Sequence, residues 1–330
     1  MTQAIQGGAV DTTSSYAVAV CREGDDGACV EVCTGTLLLP NLVVTARHCI
    51  AHAPSTFDCA DGPTFGQDEP GRLAIGTRPT VDRGGAGWHN VDDFIVSIEN
   101  SACGNDIALL VLADLVTPEE VVPATPELSR AASDPAFRGR FVALGYGATG
   151  PATNEGVGAR RVLENIPVVC VPGEANLDCP PGANVHPSEM VGGSGVCSGD
   201  SGSGAFEQGA FDRGEALLLG VFSRGGEDRE HCFGSIYTRL DRHRDLVLTA
   251  AREASADFTK YPRPAWAMDV SDAGAAGDDA GVGRREAGDI VARGSGCACA
   301  VGPTPGLRGG LGGLAAVAVA VLSTRFRRRK

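Results

Sequence analysis

The first residues, Met1-Thr2-Gln3-Ala4, carry neither the basic region nor the apolar stretch of an export signal. The chain also lacks a Cys-x-x-Cys pair with matching histidine spacing, which argues against a zinc framework. Long apolar runs are scarce. The clearest, from about Gly309 to Leu322, is short against the roughly 17–25 residues of a membrane span. Net positive charge is missing too. The formal charge is −13 although the last six residues, Arg325-Phe326-Arg327-Arg328-Arg329-Lys330, hold five positive charges, so the body is more acidic still. An acidic body does not recruit nucleic acid through phosphates. It reads as a solubility feature of an exported protein.

What is abundant is glycine (46), proline (19) and cysteine (12) in 330 residues. Twelve cysteines exceed what a reduced cytosolic protein carries and point to an oxidising compartment with structural disulfides. Export requires a signal, so a true start upstream of Met1 is expected. Short apolar runs recur between turn residues: Tyr16 to Val20, Thr36 to Ala46, Ile107 to Leu112, Phe141 to Gly145, Ala216 to Phe222 and Ser235 to Leu240. That spacing belongs to an all-β sandwich or barrel. One segment, Asp241 to Ala254, has helical periodicity, with Leu246, Val247, Ala250 and Ala251 on its apolar face.

Three short motifs carry chemistry. Thr45-Ala46-Arg47-His48-Cys49 sets a histidine beside a cysteine. Asn105-Asp106-Ile107-Ala108-Leu109-Leu110 sets an aspartate before an apolar run. Gly199-Asp200-Ser201-Gly202-Ser203-Gly204 sets a serine in a glycine-dense turn. Each has a plainer explanation, since Gly-Asp-Ser-Gly is more often only a turn, and His48 is one of six histidines. Together they supply a weak nucleophile, a base and a group to orient that base. In the order His, Asp, Ser, with these flanks, the chain resembles the trypsin/chymotrypsin-like serine peptidases from about Ile5 to about Ser255.

That resemblance implies two packed six-stranded antiparallel β-barrels with a C-terminal helix and a triad in the cleft between them. Ser201 would be the nucleophile, His48 its base and Asp106 the orienting carboxylate, with the amides of Gly199 and Ser201 as oxyanion hole. It also implies that Asp200 pairs with a new α-amino group at Ile5, freed by cleavage after Ala4. Ile5-Gln6-Gly7-Gly8 stands where relatives carry Ile- or Val-x-Gly-Gly, and the plainer reading is a first strand with a flexible glycine pair. Residues 1–4 would be a residual pro-segment, and the pocket would be disordered before cleavage. The substrate pocket would involve Gly195, Val196, Ser223, Gly225 and Ser235. No carboxylate stands at its floor, so Arg or Lys preference is not supported and apolar or small side chains are expected. Arg224 replaces an expected aromatic and could favour acidic residues at neighbouring subsites. Arg47, in place of a small residue, is expected to face solvent.

The same resemblance pairs Cys33–Cys49, Cys197–Cys232 and Cys170–Cys179, leaving Cys21–Cys29 and Cys59–Cys103. The sequence by itself establishes none of these. Expected partners are protein or peptide substrates, an activating protease and C-terminal sorting machinery, with no cofactor or metal. A catalytically silent homologue that binds through the same cleft, and a surface adhesin, are the competing classes.

From Ala256 the composition changes. Residues 256–295 read as a disordered linker, dense in Ala, Gly and Asp from Ser271 to Arg293. Gly296-Cys297-Ala298-Cys299-Ala300, a short apolar helix and the arginine cluster follow. Residues 296–330 resemble the myxobacterial C-terminal (MYXO-CTERM) sorting signal, implying cell-surface (outer membrane) or extracellular placement, with the arginines cytoplasmic before processing.

Overall fold

The computed structural model describes residues 5–53, 58–68, 71–81, 86–151, 153, 155–268 and 291–295. A two-residue strand, β1 (Ala9–Val10), precedes the first barrel. That barrel comprises β2 (Ala17–Glu23), β3 (Cys29–Leu39), β4 (Leu42–Thr45), β5 (Arg72–Gly76), β6 (Trp88–Ser97) and β7 (Ala108–Leu112). Antiparallel pairing runs β6-β5-β2-β3-β4-β7, and β6 pairs with β7 to close the ring. After β8 (Thr125–Pro126) the second barrel begins. It comprises β9 (Arg140–Gly145), β10 (Arg161–Cys170), β11 (Glu189–Gly192), β12 (Gly204–Glu207), β13 (Leu217–Glu227) and β14 (Cys232–Arg239). Its order is β10-β11-β14-β13-β12-β9, closed by β9 on β10. The chain is thus all-β, with two closed six-stranded barrels.

Strand periodicity explains how the barrels join. Successive side chains point to opposite faces of a strand. On β9, Phe141 and Ala143 enter the second barrel's core beside Ile166, Met190 and Tyr237. Val142 and Leu144 belong instead to the larger cluster with Val18, Leu37, Val43, Ile95 and Leu109. Strand β13 also divides, Leu219 and Phe222 to one side, Leu218 and Val221 to the other, its alternation reset by a register shift against β12 between Leu218 and Gly220. One wall of the second barrel is therefore apolar on both faces, and burying its outer face fixes the cleft between the barrels.

The Thr36 to Ala46 run divides into β3 and β4 at Pro40-Asn41, where proline offers no amide to continue the ladder. Strands β6 and β10 escape the apolar-run reading because each mixes in charged residues. The helix α2, after the single turn α1 (Gln208–Phe211), covers Arg244–Ala254 rather than starting at Asp241. Asp241 lies outside it, its carboxylate gripped by both Nε and Nη2 of Arg239.

The expected linker boundary at Ala256 does not hold for its first residues. Phe258, Tyr261 and Trp266 pack on the large cluster, and Ala267 is buried within it. Tyr261 Oη donates to Asn41 Oδ1 at 2.6 Å, while Asn41 Nδ2 donates to Ala254 O at 3.1 Å. Apolar surface and a paired buried amide hold residues 256–268 to the first barrel. Further on, β15 (Val291–Ser295) pairs antiparallel with β6. The rest of the linker and the whole 296–330 segment lie outside the described residues.

Removing residues after Ser255 should therefore uncover apolar surface and take the Tyr261 donor from Asn41 Oδ1. A chain ending there should melt below one ending at Met268, by about 2–4 °C per kcal/mol lost for a domain of this size. Equal melting temperatures by calorimetry would exclude a stabilising role for the segment.

Candidate active site

His48 sits on a single 3-10 turn, Arg47–Cys49, just after β4. A disulfide from Cys49 to Cys33 on β3 pins its far side. Arg47 pins the near side and is buried, not solvent-facing. Its Nε and Nη2 each reach the Asp68 carboxylate at 3.0 Å, and Nη1 donates to the carbonyls of Ser97 and Glu99 at 3.1 Å. The guanidinium also lies 4.9 Å from the centre of the Phe65 ring. A fully engaged fork of this kind fixes the turn that carries the histidine.

Asp106 precedes β7 and has no solvent exposure. Oδ1 accepts the His48 amide at 2.9 Å, and Oδ2 lies 2.8 Å from His48 Nδ1. Oδ2 also accepts from Ser223 Oγ at 2.6 Å, and the Asp106 carbonyl accepts from Thr238 Oγ1 at 3.1 Å. Burial alone pushes this carboxyl up. The His48 charge and hydrogen bond, then Ser223 and the His48 amide, outweigh burial and hold it below its ordinary range. An ionised carboxylate only accepts, so the imidazole proton sits on Nδ1 and the acceptor lone pair of the neutral ring is on Nε2. For His48, burial pulls the imidazolium down. The Asp106 charge and hydrogen bond, with a contribution from Glu31, overcome that and leave it above 6.5.

Ser201 lies in the loop before β12, tied to β14 by the Cys197–Cys232 disulfide. Its carbonyl accepts from Thr34 N at 2.7 Å and lies 3.8 Å from Cys49 Sγ, so the serine main chain presses against the residue beside His48. Glycine is required next door. Gly202 has φ +82°, and an added Cβ would lie 2.1 Å from Thr34 O. Gly199, at φ +86°, packs on Gly147 with the same consequence. Among the described residues, the Gly199 and Ser201 amides donate to no carbonyl.

Asp200 is fully buried behind this loop. Its oxygens accept from Gly147 N at 2.8 Å and Cys197 N at 3.0 Å. Burial pushes its carboxyl up to about 7, against the pull of those amides and the Arg161 charge. Ile5 is wholly buried in the second barrel's cluster. Beside it, Gln6 Oε1 accepts from Cys232 N at 2.9 Å. The Ile5 side chain thus fills an apolar seat in the second barrel.

The pocket residues separate. Gly195, at φ +114°, donates its amide to Cys232 O at 2.9 Å and leaves no room for a Cβ beside Leu163. Val196 turns into the barrel core. Ser235 is buried and donates to Gly193 O at 2.8 Å. Ser223 gives its hydroxyl to Asp106. Gly225 stays next to Phe222 and Phe233. Arg224 does not offer a free charge to acidic substrates: Nη1 and Nη2 bind the buried Glu189 carboxylate at 2.6 and 2.9 Å. The Ser223 and Glu189 contacts had no local sequence signal.

Five disulfides join Cys21–Cys29, Cys33–Cys49, Cys59–Cys103, Cys170–Cys179 and Cys197–Cys232. Two gatherings of potential metal ligands, Cys33-His48-Cys49 and Cys59-Cys103-Glu189, have both sulfurs in these bonds and offer no thiolate. Among the described residues no helix is long and apolar enough to cross a membrane.

No curated protein matches the chain. Two examples illustrate the solved structures that share its fold. The scabies mite inactivated protease paralogue S-D1 has a TM-score of 0.53 at 18% identity, over 76% of this chain and 98% of the other. The atomic-resolution structure of HBP has a TM-score of 0.52 at 17% identity, over 79% of this chain and all of the other. A family model described as Trypsin matches residues 5–247, most of the sequence, and the chain belongs to the Trypsin family.

Proposed function

We propose that the protein is an exported serine endopeptidase that hydrolyses peptide bonds through an acyl-enzyme. The observation that carries this reading is the buried Asp106 carboxylate bonded to both the amide and Nδ1 of His48. With Nδ1 donating, Nε2 is the basic nitrogen that takes the Ser201 hydroxyl proton as Oγ bonds to the substrate carbonyl carbon. The imidazolium then gives that proton to the leaving amine, and a water repeats the sequence to release the acid. The Gly199 and Ser201 amides receive the oxyanion, each such donor being worth about 2.7–4 kcal/mol in the transition state. Five disulfides support maturation in an oxidising compartment. Surface retention through residues 296–330 is part of the same proposal.

Activation is proposed to follow cleavage after Ala4, the Ile5 ammonium pairing with Asp200. A fully buried carboxyl pushed up to about 7 is short of a cation, which supports that partner. The primary pocket is proposed to take small or apolar side chains, since Gly195 adds no charge and Arg224 is neutralised by Glu189.

The scabies mite relative, an inactivated protease paralogue, motivates a second reading: a silent binding protein on the same scaffold. A fluorophosphonate probe decides between them. Cleaved wild type should be labelled and Ser201→Ala should not. Absence of labelling after confirmed processing at Ile5 favours the silent reading.

Catalysis needs neutral His48, whose imidazolium is held above 6.5, so activity should fall as pH drops through a midpoint above that value. Asp106→Asn should lower kcat by about 10⁴-fold and move that midpoint down; an unmoved midpoint in a pH–rate profile refutes the pairing. A different balance applies to Asp200. An acid with a raised folded pKa stabilises the fold below its unfolded pKa and loses that contribution as pH rises through about 7. In a Ser201→Ala background, the melting-temperature advantage of cleaved over uncut protein should therefore widen from pH 5 to pH 8. N-terminal sequencing of active protein should return Ile5. Peptide-library profiling should show cleavage after small or apolar residues, and an Arg or Lys preference would overturn the pocket assignment.

A further inference from the structure

Glu189 is a fully buried carboxylate that no step of the proposed chemistry uses. All its acceptor capacity is filled. Oε1 takes the Gly104 amide at 2.9 Å and Arg224 Nη1 at 2.6 Å, and Oε2 takes the His186 amide and Arg224 Nη2, each at 2.9 Å. Burying such a pair is costly, and it persists only where every donor and acceptor is satisfied. Its placement is informative. Gly104 lies two residues before Asp106, and Arg224 directly follows Ser223, which bonds the Asp106 side chain. The ion pair joins the two segments that support the aspartate.

The guanidinium also sets a direction. Arg224 Nη1 lies 3.5 Å from Ser223 Oγ. Arginine has only donors, so Ser223 Oγ faces it with a lone pair and turns its single proton to Asp106 Oδ2. The chain of donors runs Arg224 to Ser223 to Asp106, and from the other side His48 Nδ1 to Asp106. Gly104 is confined further. At φ +81° its Cα lies so close to the His186 ring that an added Cβ would fall 2.0 Å from Nδ1. Arg224 Nη2 lies 3.0 Å from Cys59 Sγ, whose disulfide to Cys103 closes the same turn.

We infer that Glu189 and Arg224 are positioning residues for the Asp106–His48 pair, holding the turn that carries Asp106 and keeping the Ser223 hydroxyl pointed at its carboxylate. The inference rests on the peptidase reading for its catalytic consequence, but its geometric content concerns only how the Asp106–His48 pair is held.

Two variants of the cleaved full-length chain test it. Glu189→Gln/Arg224→Met removes both charges together, leaves no buried charge unpaired and keeps an acceptor for the Gly104 amide. Arg224→Lys keeps the charge but loses the two-pronged grip. His48 titration is followed by NMR on histidine-labelled protein, with His48→Ala for assignment, and reactivity by the rate of fluorophosphonate labelling. The double variant should lower the His48 midpoint by about half a pH unit or more and slow labelling at least ten-fold; the lysine variant should fall between it and wild type. Wild-type midpoint and rate in a double variant with wild-type melting temperature overturn the inference. If the double variant does not fold, the lysine variant decides, and its wild-type behaviour overturns it. If wild type is never labelled while the His48 midpoint still moves in the variants, the peptidase reading fails and the positioning role stands.

Discussion

A carboxylate removed entirely from water must have its charge answered by donors within hydrogen-bond reach, and Asp106 is held through its side chain and main chain by donors on three separate segments. The His48 amide and ring come from the turn after β4, the Ser223 hydroxyl comes from β13, and the Thr238 hydroxyl on β14 holds the main chain. Two of those segments belong to the second barrel and one to the first. The charge therefore acts as a clamp across the cleft, and the barrels can dock in only one register without leaving it unsatisfied. The apolar outer wall of β9, β12 and β13 supplies the burial that makes the clamp dry.

Around that clamp the loops are short of freedom. Cys33–Cys49 bounds the histidine turn, Cys59–Cys103 bounds the aspartate turn and Cys197–Cys232 bounds the serine loop. Arg47 and Arg224 do electrostatically what the disulfides do covalently, each gripping one carboxylate with two nitrogens. Both arginines stand where smaller or aromatic side chains are expected. Asp200 is the unbalanced member: it has two amide donors and only a distant guanidinium charge, and its proton affinity rises accordingly. A ring of fixed turns enclosing one unbalanced buried acid suits a site set by a single added cation.

Much of this was legible along the chain. His48, Asp106 and Ser201 announce themselves through their flanks, because a serine loop needs glycines at positive φ and a buried aspartate must open an apolar strand. The all-β class was legible as well, from short apolar runs between turn residues, while the pair of six-stranded barrels followed from the family resemblance. Where strands mixed in charges, as in β6 and β10, the runs gave no warning. The segment 256–268 was misread as linker because its three aromatics are spaced irregularly, and only the surface of the first barrel makes them an apolar set.

What one-dimensional order determined is therefore the list of reactive groups and the kind of strand that carries each, since those depend on residue type and on neighbours within a few positions. What tertiary structure alone decided is which polar groups satisfy which. Ser223 and Asp106 are 117 positions apart, Arg224 and Glu189 are 35 apart, and Arg47 meets Asp68 across 21. A hydrogen bond requires donor and acceptor within about 3 Å, and no local pattern encodes that distance between remote segments. It arises when two closed barrels press an apolar wall together and exclude the water that would otherwise have answered those charges.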